Sequence, residues 1–287
     1  MKKLSILCLL FLLLLDVRAQ VDECDTDDAP LLAEIRQQRL IKRPAPDTGK
    51  TFRIQVIFHV LWNTKEEKVG DERLTEMLQT LREDFLAEND DYPDVPETFT
   101  KYAENPNIQF ELATALPNGK PTTGIIRKWT RTKKYIGGSS NEYRMFEQSE
   151  VVNYKRYLNV YVLDYDENGR TTTGNPVRDA VVVDYKQATG TSRTLSHETG
   201  HWLGLPHIFA GGSRRKCGDD GLDDTPKQLK HSMRGTYDHP QRECPSHPVM
   251  FMNFMDYGPE RFFFTKDQVY IMRQKILKRK RGMPTVD

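Results

Sequence analysis

The segment His197-Glu198-Thr199-Gly200-His201-Trp202-Leu203-Gly204-Leu205-Pro206-His207 carries the densest chemistry in the chain. On a helix, residues four apart lie one above the other, so His197 and His201 can present two imidazoles to one ion. Glu198 follows the first of them and can reach a water on that ion. Gly204 lies three residues past His201, where a glycine can take left-handed backbone and end the helix. The chain can then turn and return His207 as a third ligand. Three imidazoles with one open position suit a catalytic Zn²⁺. Such an ion lowers the pKa of its water towards ~7 and polarises a carbonyl. Glu198 would take the water proton and pass it to a leaving amine, so no protein nucleophile is required. Incidental histidines on a buried helix are the bland alternative. Three His, a Glu and a Gly at the required offsets argue against it.

The elements that position this segment read as an α/β pattern. Phe52 to Trp62 is rich in β-branched and aromatic residues and predicts a strand. Leu74, Met77, Leu78, Leu81 and Phe85 mark one face of a helix over Asp71 to Phe85. Ile108 to Ala113, Leu158 to Asp164 and Ala180 to Tyr185 predict further strands, and Thr171 to Val177 an edge strand. Thr191 to Leu203 predicts the histidine-bearing helix, with Thr191 or Ser192 as N-cap. Residues 206 to 260 are rich in Gly, Pro and Asp and read as irregular. Thr265 to Leu277 predicts a closing helix, whose basic end, Lys278 to Arg281, suits the helix dipole.

The first twenty residues differ from the rest. Lys2 and Lys3 precede an apolar run from Leu4 to Leu15, and Val17-Arg18-Ala19 offers a cleavage site after Ala19. This reads as a signal peptide, because the run is short for a bilayer span. A helical pattern over Pro30 to Ile41 is followed by Lys42 to Lys50, a Pro-, Gly- and Lys/Arg-containing stretch that reads as an exposed, cleavable linker. The expected domains are a signal peptide (1–19), a pro-segment with linker (20–49) and a catalytic domain (50–287). Lys and Arg number 42 against 41 Asp and Glu, so no global field points to nucleic acid or to an anionic membrane. No membrane span is expected in the mature protein. Export, extracellular or periplasmic, implies an oxidising compartment. Once Cys8 leaves with the signal, Cys217 and Cys244 flank one loop-rich stretch as the natural disulfide, and Cys24 is left over.

The eleven-residue motif resembles that of the metzincin metalloproteases. The wording His-Glu-x-Gly-His-Trp-Leu-Gly-Leu, then Asp-Asp-Thr-Pro, then Asn-Phe-Met-Asp-Tyr is similar to the pappalysin family in particular, over roughly Phe52 to Leu277. The resemblance implies a zincin-like domain. A twisted, mixed, five-stranded sheet with two main helices would lie above an irregular lower half with a C-terminal helix, and zinc would lie in the cleft between them. It implies a secreted endopeptidase acting on protein or peptide substrates. Met255 would form the methionine turn, and Tyr257 would stabilise the oxyanion. Glu260, at the base of the pocket after the cut, would select Arg or Lys. Asp220, Asp224 and Thr225 would hold Ca²⁺. Cys217 and Cys244 match a family disulfide, and a second one is absent, since Glu260-Arg261-Phe262 stands where its cysteine would be. Cys24, in Cys-x-Thr, would occupy the fourth zinc position in a latent proenzyme. A catalytically silent binding module and a zinc amidase acting on a non-protein substrate are the competing classes.

Overall fold

The structure is a computed structural model that describes residues 24, 26–39, 49–167, 169–172, 179–213, 215–230, 244, 248–258 and 260–279. The expected signal peptide and most of the expected linker lie outside these residues. So does the end of the expected edge strand, beyond Thr172. No helix of the described residues is long and apolar enough to cross a membrane.

Fourteen elements follow in chain order: α1 (Asp28–Arg39), β1 (Phe52–Trp62), α2 (Asp71–Leu86), α3 (Glu97–Thr100), β2 (Ala103–Glu104), β3 (Ile108–Leu112), β4 (Ile125–Trp129), α4 (Arg144–Gln148), β5 (Tyr157–Leu163), β6 (Gly169–Thr172), β7 (Ala180–Asp184), α5 (Thr194–Trp202), β8 (Phe264–Thr265) and α6 (Lys266–Arg279). The main sheet has the order β3-β1-β5-β7-β6, with β4 also on β1. β3 pairs with the first half of β1, from Phe52 to Val56, and β4 with the second half, from Phe58 to Trp62. Five strand positions are thus filled by six strands. Every pairing is parallel except β6 with β7. β5 and β7 are buried along their whole length, which is why they read as unbroken apolar runs.

Helix α2 presents Leu74, Met77, Leu78, Leu81 and Phe85 to the sheet and ends where Ala87 turns left-handed at φ 53°. The main core joins the apolar face of α2 to Trp202 and Leu205 around the end of α5, and to Val269, Ile271 and Met272 of α6. Ile35 of α1 belongs to the same core and is 1% exposed. A second apolar cluster, with Phe209, Phe251, Tyr257 and Phe263, fills the lower half.

Three sequence expectations need correction. Strand β4 was not expected. Its Arg127-Lys128 pair is charged, and Lys128 and Trp129 are both exposed, so it lacks the alternation that marks a half-buried strand. Helix α4 lies between β4 and β5, where no element was expected. Helix α5 begins at Thr194, and neither Thr191 nor Ser192 is its N-cap. Arg193 occupies that place, and its guanidinium is drawn to Asp84 and Asp91, which holds the preceding residues in a turn.

Candidate active site

Helix α5 ends in a way that delivers the third histidine. Gly204 takes φ 97°, Leu205 N donates to Gly200 O at 3.0 Å, and Gly204 N donates to His201 O at 2.9 Å. This paired closure needs a residue without a Cβ at the left-handed position. His207 then returns to the two helix histidines. Its Nε2 lies 3.2 Å from that of His201, which lies 3.1 Å from that of His197.

The tautomers follow from the acceptors behind each ring. His197 Nδ1 faces Phe254 O at 2.6 Å, His201 Nδ1 faces Leu205 O at 2.6 Å, and His207 Nδ1 faces both oxygens of Asp28 at 3.0 Å. Each Nδ1 therefore donates, and each Nε2 keeps a lone pair. Burial first, then the neighbouring histidine, holds His197 well below its usual pKa and His201 at about 3. The Nε2 atoms of His197 and His201, both kept neutral by burial, converge with that of His207 in one buried space, an arrangement that a cation between them would satisfy. The donor set therefore fits Zn²⁺. Among the described residues, one group of three or more metal-competent side chains is found: these three histidines and Cys24, their ligand atoms all within 4.8 Å of one another.

Met255 is fully buried beneath the helix. A Cβ on Gly200 would collide with its sulfur, which explains the glycine between the two helix histidines. Met255 O accepts from Ile208 N at 3.0 Å, tying the turn to the segment after His207. Tyr257, 1% exposed, lies edge-on to His207 with ring centroids 4.9 Å apart. Burial above all, with the negative charge of nearby groups, raises its phenol pKa, so it stays a donor.

The N-terminal segment lies in the same space. Tyr257 O–H donates to Cys24 O at 2.8 Å, and Thr26 Oγ1 donates to Glu198 Oε2 at 3.3 Å. Cys24 bridges Gly169 of β6 in parallel. Burial and then the Glu198 charge push the Cys24 thiol up, an environment that a cation would reverse. Burial alone would raise Asp28, but the His207 charge and hydrogen bonds outweigh it and the net shift is downward.

Asp28 was missed by sequence reading, because nothing local signals a contact 179 residues away. Gly169 was missed too. A Cβ there would stand 3.0 Å from Glu198 Cγ and 2.7 Å from Thr194 Cγ2, so only glycine lets the edge strand pass the base.

The remaining expected residues lie apart from the histidines. Cys217 and Cys244 form a disulfide with Cα atoms 6.3 Å apart. Asp220 Oδ1 accepts from Thr225 Oγ1 at 2.6 Å and Leu222 N at 3.0 Å, while its Oδ2 is buried without a hydrogen bond. Burial pushes Asp220 up to about 8. Asp224 accepts from Thr265 Oγ1 and from Asp267 N, both at 2.8 Å, and so caps the start of α6. Glu260 is exposed and lines a 580 Å³ cavity together with Asp91, Asp94, Arg193 and Arg261; no zinc-ligand histidine is in its wall.

The sheet, the helix bearing two histidines and the methionine turn together define the zinc-peptidase class of metzincins. The family model described as "Pregnancy-associated plasma protein-A" matches residues 142–277. A structure of mirolysin in complex with "compound 9" is 32% identical, with a TM-score of 0.72, covering 81% of this chain and 98% of that one. A promirolysin mutant from Tannerella forsythia is 31% identical with a TM-score of 0.76, covering 90% and 94%. An extracellular metalloprotease from Verticillium alfalfae is 36% identical over 85 residues, a stretch of 28% of this chain and only 29% of that protein. The chain belongs to the pappalysin family of zinc metalloendopeptidases.

Proposed function

We propose that the chain is a secreted zinc-dependent endopeptidase made as a latent proenzyme, with residues 1–19 as signal, 20–49 as pro-segment and 50–287 as catalytic domain. The observation that carries the reading is the convergence of three buried Nε2 atoms beside Glu198. His197, His201 and His207 would hold the zinc. When bound, it supplies a Lewis acid that acidifies water and polarises the scissile carbonyl. Glu198 takes a proton from the attacking water and returns it to the leaving amine. The Tyr257 phenol donates to the carbonyl oxygen as negative charge develops there. Met255 supports the histidines from below, and Gly204 sets the turn that brings the third one in.

Cys24, with its sulfur near all three histidines, is the residue that holds the fourth position before cleavage. Its backbone also engages Tyr257, so the catalytic phenol is held in the latent form. Asp220, Asp224 and Thr225 would bind Ca²⁺. The buried Asp220 Oδ2 supports this, and the hydrogen bonds of Asp224 to α6 show a structural role beside it. Glu260 would select Arg or Lys after the cut; it lines a cavity with Asp94, although Arg193, paired with Asp91, and Arg261 share that wall. The test is a cleaved, active preparation of wild type against Glu198→Ala, assayed for peptide cleavage and for metal content. The expected outcome is loss of turnover with one zinc retained. Unchanged turnover refutes the mechanism, and loss of zinc in wild type refutes the ligand set.

A further inference from the structure

The sheet edge farthest from the histidines has an uneven charge. No acidic residue lies between Glu111 and Glu142, yet Lys120, Arg127, Lys128, Arg131, Lys133 and Lys134 all do. The near-neutral whole chain, at +1, conceals this. Arg127 is held by Asp71 at 2.5 Å. Lys128, Arg131, Lys133 and Lys134 are exposed, and among the described residues none of them is in an ion pair. Among these cations stands Trp129, 55% exposed, the most exposed large apolar side chain of the described residues. The strand register sets it beside Trp62, whose ring carries Lys68 Nζ at 5.0 Å, and Ile136 adds further apolar surface at 48% exposure.

The ridge is fixed at both ends. Thr130 N donates to Trp62 O at 2.9 Å, and Asn63 Nδ2 donates to Thr130 O at 2.8 Å. Tyr135 is buried, donates from its N to Asp164 O at 2.8 Å and from its hydroxyl to Gln148 Oε1 at 2.7 Å. The backbone that carries the cations is therefore held at both ends before any partner arrives, which lowers the entropy lost on docking. Lysines on an exposed edge also deter strand-to-strand association. That accounts for Lys128 within β4. It does not account for an exposed Trp129, which adds apolar surface to the edge, nor for three cations past the strand end.

We propose that the ridge from Lys128 to Lys134, with Trp129 at its centre, docks the protein on a membrane surface carrying anionic headgroups. The cations meet the headgroup charge, and the indole sits at the apolar–polar boundary where its amphipathic ring is favoured. A sulfated polysaccharide would satisfy the cations but offers the indole no apolar boundary. Four strand spacings of ~4.8 Å, about 19 Å, separate β4 from β6 at the cleft, so docking leaves the active site open.

Co-sedimentation of the chain from Gln20 onward, free of the apolar Leu4 to Leu15 run, with phosphatidylcholine vesicles, with and without about 30% phosphatidylserine, tests this at ~0.1 M salt. Binding is expected to the anionic vesicles alone and to fade as salt rises. Replacing Lys128, Arg131, Lys133 and Lys134 together by Gln is expected to lower partitioning on the order of a thousandfold, with Tm and the peptidase activity of the cleaved enzyme unchanged. Trp129→Ser is expected to lower it about tenfold. If the fourfold variant does not fold, Lys133→Gln with Lys134→Gln, outside the strand, reads the same effect. Absence of vesicle binding, retention on sulfated polysaccharide beads without vesicle binding, or equal binding by the variants each overturns the proposal. Aggregation of a variant whose parent ignores vesicles assigns the lysines to edge protection instead.

Discussion

Substituting Ile35→Ala in the intact proenzyme isolates what holds the N-terminal segment in place. Ile35 is 1% exposed and sits in the main core, close enough to Gly221 that a Cβ there would lie 3.2 Å from Ile35 Cγ2. Truncating a buried Ile to Ala costs about 2–4 kcal/mol. The ion pairs of Glu34 with Lys275 at 2.8 Å and Lys278 at 2.9 Å are partly exposed, with Glu34 31% accessible. Such pairs contribute at most about 1 kcal/mol. Apolar burial therefore outweighs the Glu34 pairs at this end of α1, while Asp28 anchors the other end on His207. If the loss falls on docking, the undocked population rises roughly a hundredfold, at about 1.4 kcal/mol per factor of ten. The assay is initial cleavage of an internally quenched peptide by uncleaved chain, its length verified by mass spectrometry. Glu198→Ala supplies the background, and exposed Gln37→Ala the control. Basal activity is expected to climb roughly a hundredfold in Ile35→Ala and to stay flat in Gln37→Ala. Unchanged latency with unchanged Tm refutes the reasoning. A fall in Tm without any gain in activity shows that the whole domain loosened rather than the helix undocking.

Further outcomes are expected. Tyr257→Phe in cleaved enzyme lowers kcat about 10²–10³-fold with little change in KM, as loss of an oxyanion donor does; a change confined to KM would count against that role. Replacing Cys217 and Cys244 by Ser opens a loop with a sequence separation of 27. The cost is about 3–4 kcal/mol in the loop-entropy account, read as a lower Tm; an unaltered melt would reject it. Asp220 holds its proton up to about pH 8 in the folded state, against a usual value of 3.8. Between these values the folded form binds more protons than the unfolded, so stability falls as pH rises. Melts in chelator from pH 5 to 8 should show this decline. It should be weaker in Asp220→Asn, and opposed by added calcium if the loop binds it. Identical pH profiles for Asp220→Asn and wild type would remove Asp220 from the account.

Periodicity and spacing made much of this molecule readable. The apolar runs of β1, β5 and β7 announce buried parallel strands, and the five expected strand positions are present. The His197 to His207 offsets announce a metal site, because a helix and a glycine turn are local geometry. What stayed hidden is non-local. Asp28 reaches His207 across the whole fold, and Gly169 is dictated by Glu198 on another element. Strand β4 was hidden because its charged, exposed end breaks the apolar alternation. The start of α5 was misplaced by a residue or two: Ser192 Oγ accepts from Thr194 N at 3.3 Å from outside the helix, while Arg193, paired with Asp84 across the fold, takes the cap position. Balanced whole-chain charge obscured the cationic ridge, since a sum discards position.

The place of α1 in the main core has a consequence for the life of the enzyme after cleavage. Ile35 belongs to the same apolar cluster as Trp202, Leu205 and Ile271, which frame the histidine helix. The proposed pro-segment is then part of the apolar packing on which the catalytic half rests. Under that reading, cleavage in the proposed linker followed by release would uncover the core surface that Ile35 covers. The freed enzyme would lose the equilibrium stability of that burial, and its lifetime would then depend on how slowly it unfolds.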